Sequence, residues 1–254
     1  MDIPADFTRI ESVFVRHRNA LLLRGQFTPI YTDYYLHLMQ HGIRHAPELD
    51  QMLKDSLAML VLHLVARPWA ETIAWTVNLR APRVNLFVTG GSVQETITGR
   101  VFTEDVREPD RNFFYSQTTA PNLTQPRTTT LEVVGKDPVA WISQFYDQSE
   151  QRPARAFRLD DENFALLAAQ PDCDLAWFEA LDAAAVATID ATEETKVLET
   201  RRFRFECGCT LEQILPILGG WKNRLDDLFG AAESISLQCP RCAASYRVTR
   251  DMIR

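Results

Sequence analysis

This chain has no excess of positive charge, no long apolar run, no internal repeat and no low-complexity tract. Its 27 Lys and Arg stand against 34 Asp and Glu, a formal net charge of −7. Dedicated nucleic-acid binders draw most of their affinity from neutralised phosphates, so an acidic balance argues against that class. The most apolar stretch, Leu57 to Ala66, contains His63. It is far shorter than the roughly 20 residues a bilayer-spanning helix needs, so no membrane partner is expected. The start, MDIPADFTRIE, has no basic segment followed by an apolar one, so the chain reads as soluble and cytoplasmic. The phosphate loop G-x-x-x-x-G-K-[ST], the nucleophile elbow G-x-S-x-G and the dinucleotide fingerprint are all missing, and an enzyme is not expected.

What is present is an ordinary globular mixture: 254 residues, 46% apolar and 24% charged. That length is ample for a large core, with room for a small satellite domain. Residues 10–31 read as two strands joined by a turn, and 32–40 as a helix that Gly42 can end. After Pro47, apolar residues recur at three and four through Leu49, Met52, Leu53, Leu57, Leu60 and Leu64. This predicts a helix with Lys54, Asp55 and Ser56 on its wet side. TIAWTVNLR, RVNLFVTG and QETITGRVFT, then FFYSQ and TTTLEVVG, predict an antiparallel sheet. A helix is expected at Pro138 behind an Asp137 cap, then a strand at ARAFRL. Helices are predicted from Asp160 or Asp161 to Gln170 and from Asp174 to Ala187, the latter with Leu175, Phe178 and Leu181 on one face. Residues 188–196 are the best linker candidate. The fold class is therefore α+β. An amino-terminal domain containing an antiparallel sheet spans 1–170, a helical linker 171–206, and a small four-cysteine domain 207–254.

Four of the five cysteines fall in that last segment, as Cys207-Gly-Cys209 and Cys239-Pro-Arg-Cys242. Each short pair can place two sulfurs on one ion, and four thiolates in a tetrahedron suit zinc. The insert between the pairs predicts two short helices, around Leu211–Ile217 and Trp221–Phe229, with a small core from Leu211, Ile214, Leu215, Leu225, Leu228 and Phe229. SISLQCPRCAASYRV reads as a strand, a knuckle and another strand. So little core implies that metal supplies much of the folding free energy, an apparent value of about 10–16 kcal/mol in zinc-finger peptides. A four-thiolate site is coordinatively closed, which leaves a structural or a redox role. Each pair could also close to a disulfide.

FECGC followed by CPRCAASYRVTRDMI resembles the carboxy-terminal module of the heat-shock protein 33 family, the redox-regulated holdase chaperones. QFYDQSEQRPARAFRL, residues 144–159, and LLLRGQFTPIY, residues 21–31, are similar to further segments of that family. The chain departs from it at NLRAPRVNLFVTGG, where the family has a glycine-rich run, and in a shorter segment ahead of FECGC. The resemblance implies an ATP-independent chaperone, idle while Cys207, Cys209, Cys239 and Cys242 hold zinc. Oxidation would join Cys239 to Cys242 and then Cys207 to Cys209. The linker would then lose structure and unfolding client proteins would bind, with a homodimer as the activated form. The alternative is a protein-binding module whose zinc site is purely structural.

Other features read more plainly. His37 and His41 lie one helical turn apart, but Leu38 stands where a zinc-protease helix needs glutamate, so surface or half-buried histidines are expected. Cys173, between Asp172 and Asp174, reads as an unreactive thiol. In RRFRFE, alternation predicts a strand with Phe203 and Phe205 inward and Arg202 and Arg204 in water.

Overall fold

The computed structural model of this protein describes residues 7–68, 70–160 and 162–253. The chain opens with the hairpin β1 (Thr8–Val15) and β2 (Ala20–Gln26), then α1 (Thr28–His41) and α2 (Pro47–Val65). A meander follows: β3 (Thr72–Leu79), β4 (Val84–Gly91), β5 (Thr96–Phe102), β6 (Phe113–Thr119) and β7 (Arg127–Glu132). Next come α3 (Pro138–Phe145), a π-helical turn at Tyr146–Glu150, β8 (Ala154–Arg158) and β9 (Asn163–Ala169). Three short helices, α4 (Leu175–Ala180), α5 (Ala183–Ala187) and α6 (Ile189–Thr192), lead into β10 (Thr195–Phe205). The tail holds α7 (Leu211–Ile214), a 3-10 turn at Leu215–Trp221, α8 (Leu225–Phe229), β11 (Ser234–Gln238) and β12 (Ser245–Thr249).

Among the described residues, ten strands form one sheet in the order β7-β6-β3-β4-β5-β10-β1-β2-β9-β8. Every pairing is antiparallel except a short parallel seam, where Arg204 and Phe205 of β10 meet Thr96 and Ile97 of β5. β10 pairs along its length with β1, from Thr8↔Phe203 to Val15↔Thr195. It therefore joins two antiparallel halves. The 171–206 segment, expected to be a helical linker, is helical only as far as Thr192. Its end becomes a strand because Arg201, Phe203 and Phe205 alternate inward while Arg202 and Arg204 point to water. The expected 174–187 helix is broken at Leu181, whose backbone is extended, and Asp182 caps a new turn by accepting from the Ala185 N–H.

One face of the sheet carries α1, α2 and α3, and the main core lies between. Pro29 starts α1 earlier than the expected residue 32, and Gly42 ends it at φ 65 with its N–H on the Leu38 and Met39 carbonyls. The α3 cap is as expected, with the Asp137 carboxylate accepting from the Val139 N–H.

Two further expectations fail in the large domain. Lys54, Asp55 and Ser56 do not face water: α2 is buried on all sides from Met52 to Val65. Their polar groups are all satisfied, two of them by partners about a hundred positions away. Lys54 pairs with Glu162 at 3.0 Å and lies over the Tyr31 ring. Asp55 meets Arg158 at 2.7 Å, and the Ser56 hydroxyl donates to the Met52 carbonyl at 2.8 Å. The helix expected from Asp160 or Asp161 to Gln170 is instead the strand β9, paired on both edges with β2 and β8 (Asp161 lies outside the described residues). Both faces of β9 are covered, one by the main core and the other by a second cluster beneath α4, α5 and α6. Its apolar residues therefore run continuously, a pattern periodicity alone does not separate from a buried helix.

Candidate metal centre

The two cysteine pairs meet where β10 leaves the sheet. Gly208 turns the backbone between Cys207 and Cys209 at φ 66, a left-handed conformation that glycine adopts without cost. Cys239 and Cys242 sit on the knuckle between β11 and β12. There the Cys239 N–H donates to the Ala244 carbonyl at 2.8 Å, and the Ala243 N–H to the Cys239 carbonyl at 2.9 Å. The Arg241 N–H points at the Cys239 sulfur at 3.4 Å. This closed turn aims both side chains inward.

All four sulfurs lie within 4.8 Å of one another, with Cys207 and Cys239 at 3.7 Å and Cys209 and Cys242 at 3.5 Å. A tetrahedral zinc site with bonds near 2.3 Å places its sulfurs about 3.8 Å apart, so the spacing is compatible with a shared metal. Ionisation argues the same way. Hydrogen bonding from Cys242 and the nearby Arg241 guanidinium hold the Cys207 thiol below its usual range. Its bond to Cys207, with burial, pushes the Cys242 thiol up, and burial pushes up that of Cys209. Thiols this close cannot all ionise unaided, whereas a shared dication would favour all four thiolates.

A small satellite core supports the centre. Leu218, Phe229, Val248 and Ile253 are buried, and Leu211, Leu215, Leu225 and Leu228 pack around them. Ile214, expected in that core, does not join it. Where two helices were expected in the insert, α7, a 3-10 turn and α8 form: Pro216 ends the first helix early, and the expected separator Gly219-Gly220 lies inside the 3-10 turn. The Tyr246 hydroxyl donates to the Cys209 carbonyl at 2.8 Å.

Side chains of Arg100, His37 and His41 of the large domain hold the knuckle. Arg100 of β5 donates to the Cys239 carbonyl at 2.9 Å. His37 reaches the Cys242 carbonyl through Nε2 at 2.8 Å, and a carbonyl only accepts, so this nitrogen carries the proton. His41 Nδ1 accepts from the Ser245 N–H at 3.3 Å. The histidine pair visible in the sequence is therefore a docking pair. Its spacing signalled a shared helix face, but its partner lies some 200 positions along the chain and no local pattern reveals it. Arg100 carried no signal at all. Cys173 lies apart beside α4, and burial raises its thiol pKa.

No family model matches the chain, and no curated protein matches it in sequence. Among solved structures, the 33 kDa chaperonin (heat-shock protein 33 homolog) of Thermotoga maritima is similar, with a TM-score of 0.72 at 12% identity over 97% of this chain and 96% of that one. The chain thus has the heat-shock protein 33 fold, as the resemblance of its segments to that family implied.

Proposed function

We propose that this protein is an ATP-independent holdase chaperone whose Cys207, Cys209, Cys239 and Cys242 hold zinc while reduced and form disulfides under oxidative stress. The observation that carries this reading is the four-sulfur cluster, set in the tail of a chain with a chaperone's fold. Bound zinc supplies a closed staple for the small tail. Each disulfide takes two thiols and one peroxide, which leaves as two waters, so two peroxides consume all four ligands. With no thiolate left, the tail keeps its satellite core and its docking contacts on Arg100, His37 and His41. Clients are unfolded or partly folded proteins, the oxidised form dimerises, and a reducing cytoplasm keeps the thiols idle. Residues 1–170, 171–206 and 207–254 act respectively as chaperone domain, responsive segment and sensor.

A second reading, a permanently structural zinc site, is favoured by the insertion of β10 between β1 and β5, which leaves little free linker ahead of Cys207. One experiment separates the two. Zinc release is followed during peroxide treatment at heat-shock temperature, with light scattering from a thermally unfolding client. Loss of zinc with suppressed aggregation, both reversed by a thiol reductant, supports the switch. Zinc that stays bound, or leaves without holdase activity, supports the staple.

A further inference from the structure

The ten-stranded sheet ends in β7 on one side and in β8 on the other. β8 is guarded: it follows Pro153, carries Arg155 and Arg158, and packs against α3. β7 is not. Its six residues include neither lysine nor proline, its charges stand only at Arg127 and Glu132, and threonines fill positions 128–130. Its register with β6 runs without a bulge from Phe113↔Glu132 to Thr118↔Arg127. The Val133 N–H donates to the Asn112 carbonyl, so by strand alternation Leu131, Thr129 and Arg127 also face β6. The N–H and C=O groups of Thr128, Thr130 and Glu132 therefore point away from the sheet, and they have no partner among the described residues. On the core side the Thr129 hydroxyl meets that of Ser149 at 3.0 Å, which holds the strand in place. An open, anchored edge of this kind is a template for one more strand.

We infer that β7 docks extended segments of non-native polypeptides, which add to the sheet as a further strand. The inference rests on the holdase reading and names a place where clients bind. Main-chain hydrogen bonds carry the recognition, so it is indifferent to sequence, and an unfolding protein exposes unpaired backbone whatever its side chains are. Thr128 and Thr130 are exposed, uncharged and β-branched, which suits a neighbouring strand of almost any composition. A second copy of this chain is a poorer occupant. In a two-fold antiparallel pair, residues of the outward set, Thr128, Thr130 and Glu132, must lie opposite one another. Arg127 belongs to the other set, so Arg127 of one copy and Glu132 of the other cannot face each other. Within the sheet, β6, β3 and β4 separate β7 from β5, on which the knuckle docks. The edge is thus open while the tail is docked, and β7 gives clients a first contact before any zinc is released.

The test uses the full-length, zinc-loaded protein and a fluorescein-labelled peptide of Thr, Val and Ser, too short to fold, with binding read by fluorescence anisotropy. Thr130→Pro removes an outward N–H and no ladder bond, so the circular dichroism spectrum and urea midpoint should be unchanged. Peptide affinity should fall about tenfold, the loss of one or two main-chain hydrogen bonds. A second peptide has its central amides replaced by esters, which keeps the side chains and removes the N–H donors. It should bind the unaltered protein about tenfold more weakly, and this comparison decides the matter if the variant misfolds. Absence of peptide binding, or binding that neither change weakens, overturns the inference. So does a dimer that Thr130→Pro converts to monomer with peptide binding unaltered, a result that assigns the edge to a second copy. Peptide binding at β7 without peroxide-driven suppression of client aggregation refutes the redox switch and leaves the edge standing. Peroxide-driven suppression, with peptide binding insensitive to both changes, keeps the holdase reading and overturns the edge.

Discussion

His37 of the first helix and Cys242 of the last cysteine pair are in direct contact, with Nε2 2.8 Å from the carbonyl oxygen. The metal-binding knuckle is therefore docked on the large domain by the chain's own amino-terminal third. His37→Ala removes the donor and leaves the carbonyl of the buried Cys242 without it, at a cost of about 1 kcal/mol to docking. Hydrogen exchange at the knuckle amides should accelerate while zinc content stays the same. Unchanged exchange would show the contact to be incidental.

Cys239→Ser exchanges a soft thiolate for a hydroxyl that zinc binds poorly. The variant should lose stoichiometric zinc and show protease cleavage within 207–253, with the β1–β10 region intact. Retained zinc would sink the ligand assignment.

Arg158→Leu removes the partner of Asp55, a carboxylate whose side chain is 3% exposed in the middle of α2. Gln51 remains as its neighbour, donating at 2.8 Å. A buried acceptor stripped of its charged partner costs about 1–3 kcal/mol. The urea midpoint should fall accordingly, and Asp55→Asn in the Arg158→Leu background should restore part of it. No recovery would mean that Arg158 acts through its other partner, Asp137.

His63 lies in the core against Tyr146, Trp75 and Phe145, its Nδ1 2.9 Å from the Tyr146 hydroxyl. Burial, reinforced by the charges of Arg67, Arg152 and Arg127, holds its pKa well below the usual 6.5. In the unfolded chain this histidine takes up a proton near pH 6.5, and in the folded chain it does not. Stability is therefore complete above that pH and falls as the pH drops below it, by up to about 1.4 kcal/mol per pH unit. Urea midpoints between pH 5 and 8 should show this slope, and His63→Leu should flatten it. An equal slope in both proteins would assign it to other groups.

Local chemistry made much of this architecture legible. The Asp137-Pro138 start, the Gly42 stop, the β-branched runs of β3 to β5 and both cysteine pairs act through neighbours in sequence. What escaped depends on covering layers. β9 is rich in Ala and Leu and buried on both faces, so it carries the composition of a helix and no alternation. Lys54 and Asp55 looked like a wet face because Glu162 and Arg158, which neutralise them, come about a hundred positions later. The cysteine spacing foretold a four-sulfur cluster, whereas its seat on α1 and β5 is a property of the tertiary fold alone.

The route by which the tail is attached has a mechanical meaning. A pull on residue 207 or beyond is not taken up by a slack tether. It loads β10 lengthwise against β1, so the rungs from Thr8↔Phe203 to Val15↔Thr195 bear the force together in shear. Peeling one rung at a time would need a pull from the side, across the strands. Once the docking bonds to α1 and β5 were released, the tail would swing about the residues after Glu206, whose own N–H stays on the Ile97 carbonyl, while the sheet behind it stays clamped.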